Sequence, residues 1–211
     1  MAAPFSEGAF QRDLKRRIDV LNQPLADLKD DEILSEILEK HFSDLEESWP
    51  ELHSYHLAGN IPGFEHDFLR MGAGGFGTVY KGYKGGKPYA LKRYGPRSED
   101  GPEANRGYTS YHFEFIRNFS TLLEFHSLGL PVIKPIEQDR MNLISIFEFK
   151  RGIPVDRLLK AENLPDFFVR LVEGRIRDFR HVMNLLNRNA TYPRNFIFDL
   201  DDGLIYLIDP N

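Results

Sequence analysis

The 211-residue sequence contains no cysteine, which removes disulfides, thiolate metal sites and cysteine nucleophiles from the chemistry open to it. That absence suits a reducing compartment. Apolar runs as long as a membrane span are also missing, and the N-terminal string "MAAPFSEGAFQRDLKRR" lacks the apolar stretch of a cleavable secretion signal. A soluble chain without a membrane span is expected, cytoplasmic or exported by a route that leaves no cleavable signal. Basic tracts are absent too: 27 Lys and Arg stand against 32 Asp and Glu, for a formal charge of -5. A nucleic-acid partner is therefore not expected. What is present is 41% hydrophobic and 13% aromatic residues, enough for one good core or one core with a small appendage.

Two amphipathic segments come first. Residues 10 to 21 place Leu14, Ile18 and Leu21 on one helical face, and residues 27 to 45 do the same with Leu28, Ile33, Leu34, Ile37, Leu38 and Leu45. They either pack on the rest of the chain or offer a face to a partner, and simple packing is the preferred reading. Residues 48 to 65 carry prolines, glycines and aromatics without a period and read as a linker.

From Phe68 the pattern changes to strands. "DFLRMG", "GTVYKGYK" and "KPYALKRY" alternate apolar and polar residues, and Gly85-Gly86 supplies the positive φ angles of a tight hairpin. A helix is predicted over roughly 111 to 128, with Ile116, Phe119, Leu122, Leu123 and His126 on one side. "GLPVIKPIEQDR" and "NLISIFEFKRG" read as two more strands, the second closed by Gly152-Ile153-Pro154. A long helix from about 164 to 187 follows, with Phe167, Phe168, Leu171, Val172, Ile176, Phe179, Met183 and Leu186 at helical spacing, then a hairpin of "NFIF" and "LIYLID".

"GAGGFGTVYKG" satisfies G-x-G-x-x-G through Gly72, Gly74 and Gly77, with Gly75 and Phe76 between them. Alone this is a weak signal. Its setting discriminates: a dinucleotide-binding loop leads from a strand into a helix, whereas this one leads into β-branched, alternating sequence. A glycine loop between two antiparallel strands, followed by a lysine on the third, is the arrangement that covers nucleotide phosphates from above. Lys92 holds the lysine position, Ala90 precedes it, and Val79 sits where an apolar side chain can lie against a base.

"GAGGFGTVYKG" with "YALK" resembles the N-lobe of the eukaryotic-type protein kinase fold. The resemblance covers residues 68 to 211 and implies an α+β, bilobal architecture: a helical extension and linker over 1–66, a five-stranded antiparallel N-lobe over 67–150 and a reduced helical C-lobe over 151–211. It implies ATP and Mg²⁺ as cofactors, Lys92 on the α- and β-phosphates, and a helix glutamate, Glu114 in preference to Glu124, holding its ammonium. It also implies main-chain groups from Glu148 to Lys150 at the adenine edge, and Asn195 and Asp209 as metal ligands on either side of the last hairpin. The turn acids Asp199, Asp201 and Asp202 read as turn formers.

The sequence departs from the family pattern where the catalytic aspartate should stand, five residues before Asn195: that position is Ala190, and a methyl group accepts no proton. A native alanine and an engineered replacement of aspartate give this same string. Asp178, His181, a water or the partner could stand in for the base. Pro210-Asn211 replaces the glycine after the metal aspartate, and no activation segment follows. In size and layout the chain resembles the minimal kinase-like effectors that some bacteria deliver into host cells. Two functions follow as expectations: a small phosphotransferase acting on protein Ser or Thr hydroxyls, or a pseudokinase that binds nucleotide and acts as an interaction module or switch.

Overall fold

The computed structural model describes residues 7–25, 31–53, 61, 63–65, 67–95, 108–188 and 192–210. The chain divides into two compact units, one formed by Met1–His41, Phe125–Val132 and Arg151–Asn211, the other by Phe42–Glu124 and Ile133–Lys150.

The unit containing the glycine loop is built on a six-stranded sheet in the order β1-β2-β3-β4-β6-β5. Its strands are β1 (Glu51–His53), β2 (Asp67–Gly74), β3 (Gly77–Lys84), β4 (Lys87–Tyr94), β5 (Pro135–Asp139) and β6 (Ile144–Glu148), and every neighbouring pair is antiparallel. The five strands expected from alternation are all there. β1 is an addition, formed inside the stretch read as a linker. Gly85 and Gly86 have φ of 59° and 73°, the two successive positive values that let a two-residue turn follow the twist of β3 and β4.

Because opposed residues share a face, the register divides this sheet cleanly. Tyr80, Leu91, Ile144 and Ile146 form one core cluster with Ile61 and Phe68, and Phe64 and Tyr89 pack against it. The opposite face carries Val79, Lys81, Ala90, Lys92 and Phe147, through the pairs Val79↔Lys92, Lys81↔Ala90 and Ala90↔Phe147. Helix α3 (Tyr108–Ser127) packs on this second face: Tyr94 meets Phe115 edge-on with ring centroids 5.6 Å apart, Phe119 lies 6.0 Å from Phe147, and Gln138 Nε2 donates to the Phe115 carbonyl at 2.9 Å.

The face expected for α3 is rotated. Tyr111, Phe115, Leu122 and Phe125 are buried, whereas Ile116 and Leu123 are about half exposed at 49% and 47%. Leu122 was on the expected stripe, but Tyr111, Phe115, Leu122 and Phe125 define a better one, with successive spacings of four, seven and three residues, and aromatic area decided which side is buried.

In the other unit, α1 (Glu7–Leu21) and the part of α2 (Glu32–Glu47) up to His41 accompany α4 (Val155–Leu158) and α5 (Asp166–Leu185). Leu14, Ile18 and Leu21 of α1 are buried. Leu34 and Leu38 of α2 are also buried, but Ile33 is 72% exposed; Leu28 lies outside the described residues. On α5, Phe168, Val172, Ile176, Phe179 and Met183 are buried as expected and joined by Val182, while Phe167 and Leu171 face outward. Arg175 of α5 is buried and donates through Nη1 to the carbonyls of Leu21 at 2.9 Å and Gln23 at 2.6 Å. The first helix is thus packed into this unit.

A three-stranded sheet, β7-β8-β9, completes the unit, with β7 (Gly152–Pro154), β8 (Phe196–Asp199) and β9 (Ile205–Leu207). The hairpin of β8 and β9 was expected. Gly152–Pro154 was expected to end the preceding strand, yet β6 stops at Glu148 and these residues form a separate strand against β8. The glycine permits it: a Cβ at Gly152 would stand 2.6 Å from the Phe198 carbonyl oxygen, so only a residue without one allows the backbones to approach this closely.

Candidate functional site

The glycine hairpin folds as β2, a two-residue turn at Gly75-Phe76, and β3, closed by the pair Gly74↔Gly77. Its glycines fall into two kinds. A Cβ at Gly77 would lie 2.0 Å from the Arg93 carbonyl oxygen, while Cβ atoms at Gly72 and Gly74 would meet nothing within 4 Å. Gly77 is therefore required by the packing of β3 on β4. Gly72 and Gly74 are exposed, and no neighbour among the described residues demands glycine there. Phe76 turns in from the tip and packs against the cluster of Tyr94, Tyr111, Phe115 and Leu143.

Lys92 stands on β4 directly opposite Val79 on one side and Ser145 on the other. It is partly exposed, as are Val79 and Ala90, and its ammonium lies 5.1 Å from the centre of the Tyr94 ring. The three residues expected to meet the base and the first phosphates thus share one face of one sheet, next to the hairpin.

Glu114 and Glu124 differ sharply. Glu114 is 6% exposed, and its carboxylate accepts from Arg117 Nη2 at 3.0 Å. Glu124 lies on the exposed side of α3. A buried carboxylate facing the packed side of this helix is costly unless charged or polar groups satisfy it, and Arg117, about half exposed, is one such partner.

At the end of β6, the Glu148 amide donates to the Lys134 carbonyl at 3.0 Å, and the Glu148 carboxylate accepts from the Lys134 amide at 3.2 Å. Lys150 follows and is partly exposed. The Glu148 amide is therefore already committed within the sheet edge.

In the other unit, Asn195 ends a 3₁₀ turn, Pro193–Asn195, and is buried. Its carbonyl accepts from the amides of Ile208 at 2.8 Å and Asp209 at 3.4 Å, continuing the β8–β9 pairing that sets Phe196 opposite Leu207. The two expected metal ligands are brought side by side, and Asp209 is partly exposed. An amide oxygen and a carboxylate are hard donors of the kind Mg²⁺ takes, with nucleotide phosphates completing its octahedron, so the donor set fits the ion. No cluster of three or more His, Cys, Asp or Glu able to hold a metal by itself occurs among the described residues.

The turn acids behave as turn formers. Asp199 Oδ1 accepts from the amides of Asp201 and Asp202 at 2.8 and 3.2 Å, and Asp202 Oδ2 accepts from the Tyr206 hydroxyl at 2.7 Å. Asp201 is drawn to Arg151, which also grips Glu39 with two hydrogen bonds of 2.6 and 2.8 Å; the bond from Arg151 holds the Glu39 carboxyl below its ordinary pKa. Ala190 and Asn211 lie outside the described residues. Asp178 and His181 are exposed on α5.

One group escaped the sequence reading. Lys81, two residues beyond Val79 and opposite Ala90, is only 8% exposed. Its Nζ donates to Glu46 at 2.5 Å and lies 4.7 Å from the centre of the Phe149 ring, 5.6 Å from Tyr83 and 5.9 Å from Trp49. Burial alone would push its pKa down, but the bond to Glu46, with Tyr83 adding to it, leaves the ammonium raised. Alternation already placed Lys81 on the Val79 face; its partner 35 positions earlier in the chain left no local signal.

Sheet, glycine hairpin, strand lysine and following helix stand in the order expected from the sequence, and the fold is α+β. No family model matches the chain, and no curated protein matches it. Among solved structures it is similar to the kinase domain of Mycobacterium tuberculosis PknI, determined as a double mutant, with a TM-score of 0.49 and 17% identity over 72% of this chain. The chain spans 60% of the length of that neighbour. No helix among the described residues is long and apolar enough to cross a membrane.

Proposed function

We propose that this chain is a nucleotide-binding, kinase-like protein that takes ATP with Mg²⁺ and transfers the γ-phosphoryl group to a hydroxyl of a protein substrate. One observation carries the reading: Val79 and Lys92 form a cross-strand pair on an accessible sheet face, beside a hairpin whose Gly72 and Gly74 are exposed. Val79 and Ala90 would seat the base, the ammonium of Lys92 would neutralise the α- and β-phosphates, and the amides of the hairpin would cover them. Glu114 would orient Lys92, and groups from Glu148 to Lys150 would meet the adenine edge. Asn195 and Asp209 would hold the cation, which supplies charge neutralisation on the phosphates.

In the transfer, the substrate oxygen forms a bond to the γ-phosphorus as the bond to the β,γ-bridging oxygen breaks. ADP leaves with that electron pair, and the hydroxyl proton must go to a base. Ala190 provides none. Loss of a positioned base costs about a hundred- to ten-thousand-fold in rate, so transfer by the chain as written is slow and passes the proton to water, to the partner or to another side chain.

A second reading is favoured by the same alanine: a pseudokinase that binds nucleotide and works as an interaction module. Incubation with labelled ATP, Mg²⁺ and a cell lysate separates the two. Transfer by the chain as written, lost in Lys92→Ala, supports the enzyme. Transfer that appears only in Ala190→Asp assigns the silence to position 190, and ATP-dependent thermal stabilisation without transfer in either supports the pseudokinase. Absence of ATP binding sinks both readings.

A further inference from the structure

The accessible patch around Lys92 has a definite end. Along β3 and β4 the pair Val79↔Lys92 is partly exposed on both strands; at the next pair on the same face, Lys81↔Ala90, Ala90 is still accessible but Lys81 is buried. What covers Lys81 comes from outside the five strands read from the sequence: Glu46 from the last turn of α2 and Trp49 just after it, together with Phe149 beyond β6.

This cover is fixed in place. The Trp49 amide bonds the Glu46 carbonyl at 3.0 Å, the Arg70 amide of β2 bonds the Pro50 carbonyl at 3.1 Å, and β1 continues the chain as an edge strand on β2. Phe42 meets the Trp49 ring edge-on at 6.3 Å. Trp49 itself is 8% exposed, and its buried Nε1 has no hydrogen-bond partner among the described residues. A buried indole whose donor is unused is kept for its ring, not for its N–H.

We propose that Trp49, clamped through the Glu46–Lys81 ion pair, is the end wall of the base-binding patch, so that the segment following the second helix determines how the nucleotide base is held. The inference rests on the nucleotide reading given above. On that reading a base lying on Val79 and Ala90 reaches the Lys81 cluster at its far end, because Ala90 and Lys81 are direct cross-strand neighbours. The wall then adds apolar contact to the base alone and nothing to the phosphates. A mobile shutter is disfavoured by the anchoring at Phe42, Pro50 and β1.

The test compares dissociation constants of the full chain for Mg·ATP and for inorganic tripolyphosphate, which shares the phosphates and lacks the base. Trp49→Ala is expected to weaken ATP roughly ten-fold, the scale of one aromatic contact with a base, and to leave tripolyphosphate within about two-fold. Trp49→Phe should stay near the parent, since Nε1 is unused. Glu46→Gln, which removes the charge of a partly exposed partner, should weaken ATP by about three-fold with tripolyphosphate again unchanged.

ATP affinity in Trp49→Ala that equals or exceeds the parent overturns the wall. If that variant melts out, Glu46→Gln decides, and unchanged ATP affinity there overturns it. Equal losses for ATP and tripolyphosphate also overturn it, because they indicate damage to the sheet as a whole. Failure of the nucleotide reading looks different: the parent chain binds neither ligand, or Lys92→Ala binds both as well as the parent does, and the wall falls with it.

Discussion

The carbonyl of Asn195 accepts a hydrogen bond from the amide of Asp209 at 3.4 Å, with the 2.8 Å bond from Ile208 beside it. The distance to Asp209 is long for a hydrogen bond, so the Ile208 bond sets the register and carries Asp209 along. Two residues fourteen positions apart in sequence, on either side of a hairpin, are thereby held as neighbours whatever the turn between them does. Asp209→Asn keeps this backbone arrangement and removes one negative charge. It should weaken ATP binding measured with Mg²⁺ by about ten-fold or more, and leave binding measured with EDTA unchanged, if the pair holds the cation. Equal affinities with and without Mg²⁺ in the parent chain would dissociate the pair from any metal.

Gly72 and Gly77 belong to one motif and should respond oppositely to the same methyl group. At Gly77 the added Cβ collides with the Arg93 carbonyl, a backbone atom that moves only if β3 and β4 separate. Gly77→Ala is expected to destabilise the fold by about 1–3 kcal/mol. At Gly72 there is open space, so Gly72→Ala should leave stability within about 1 kcal/mol and act instead on nucleotide affinity. Denaturant unfolding of both variants beside ATP titrations checks the contrast; a large stability loss at Gly72 would contradict it.

Strands β3 and β4 were legible to the residue, and β2 but for its last two residues, because alternation, a Gly-Gly turn and a glycine motif all agreed. The glycine hairpin and Lys92 could be placed on their strands because they sit at fixed offsets from those turns, whereas Asn195 and Asp209 were marked out through the family resemblance, on either side of the last hairpin. The α3 face was not, since apolar residues occur nearly all round that helix and only the sheet it meets selects Phe115 over Ile116. β1 and the Glu46–Lys81 pair were invisible for a related reason. A three-residue edge strand and a contact across 35 positions carry no local period, and exist only because the neighbouring β2 edge and a buried ammonium needed partners.

The Glu39–Arg151 pair gives a pH dependence of known sign. Arg151 depresses the Glu39 carboxyl below its ordinary 4.5. The stabilisation is therefore complete above about that pH and is lost as pH falls through the lower value in the folded chain. Both side chains are partly exposed, at 37% and 45%, so solvent screens the pair and its contribution is about 1 kcal/mol at most. Glu39→Gln should lower the melting temperature at pH 7 by a few degrees at most, and the difference from the parent should shrink as pH falls below 4.5. A difference that grows toward acid would reverse the assignment.

Arg175 tests whether α1 is an appendage or a part of its unit. The side chain is buried and spends Nη1 on two carbonyls at and just past the end of α1, Leu21 and Gln23, groups that a helix C-terminus leaves without internal partners. Burial pushes its pKa down, with the nearby charge of Asp178 opposing that only in part, so the guanidinium is retained at a desolvation cost that the two carbonyls offset. Arg175→Leu removes the charge and its donors while keeping apolar bulk against α1. Because the buried Leu21 carbonyl loses its donor, the change should cost about 2–3 kcal/mol and raise hydrogen exchange at the amides of α1 above that of α5. Arg175→Lys, with a single point of donation, should recover part of the loss. If Arg175→Leu leaves both stability and α1 exchange unchanged, the helix is held by Leu14, Ile18 and Leu21 alone and the two hydrogen bonds are incidental to its docking.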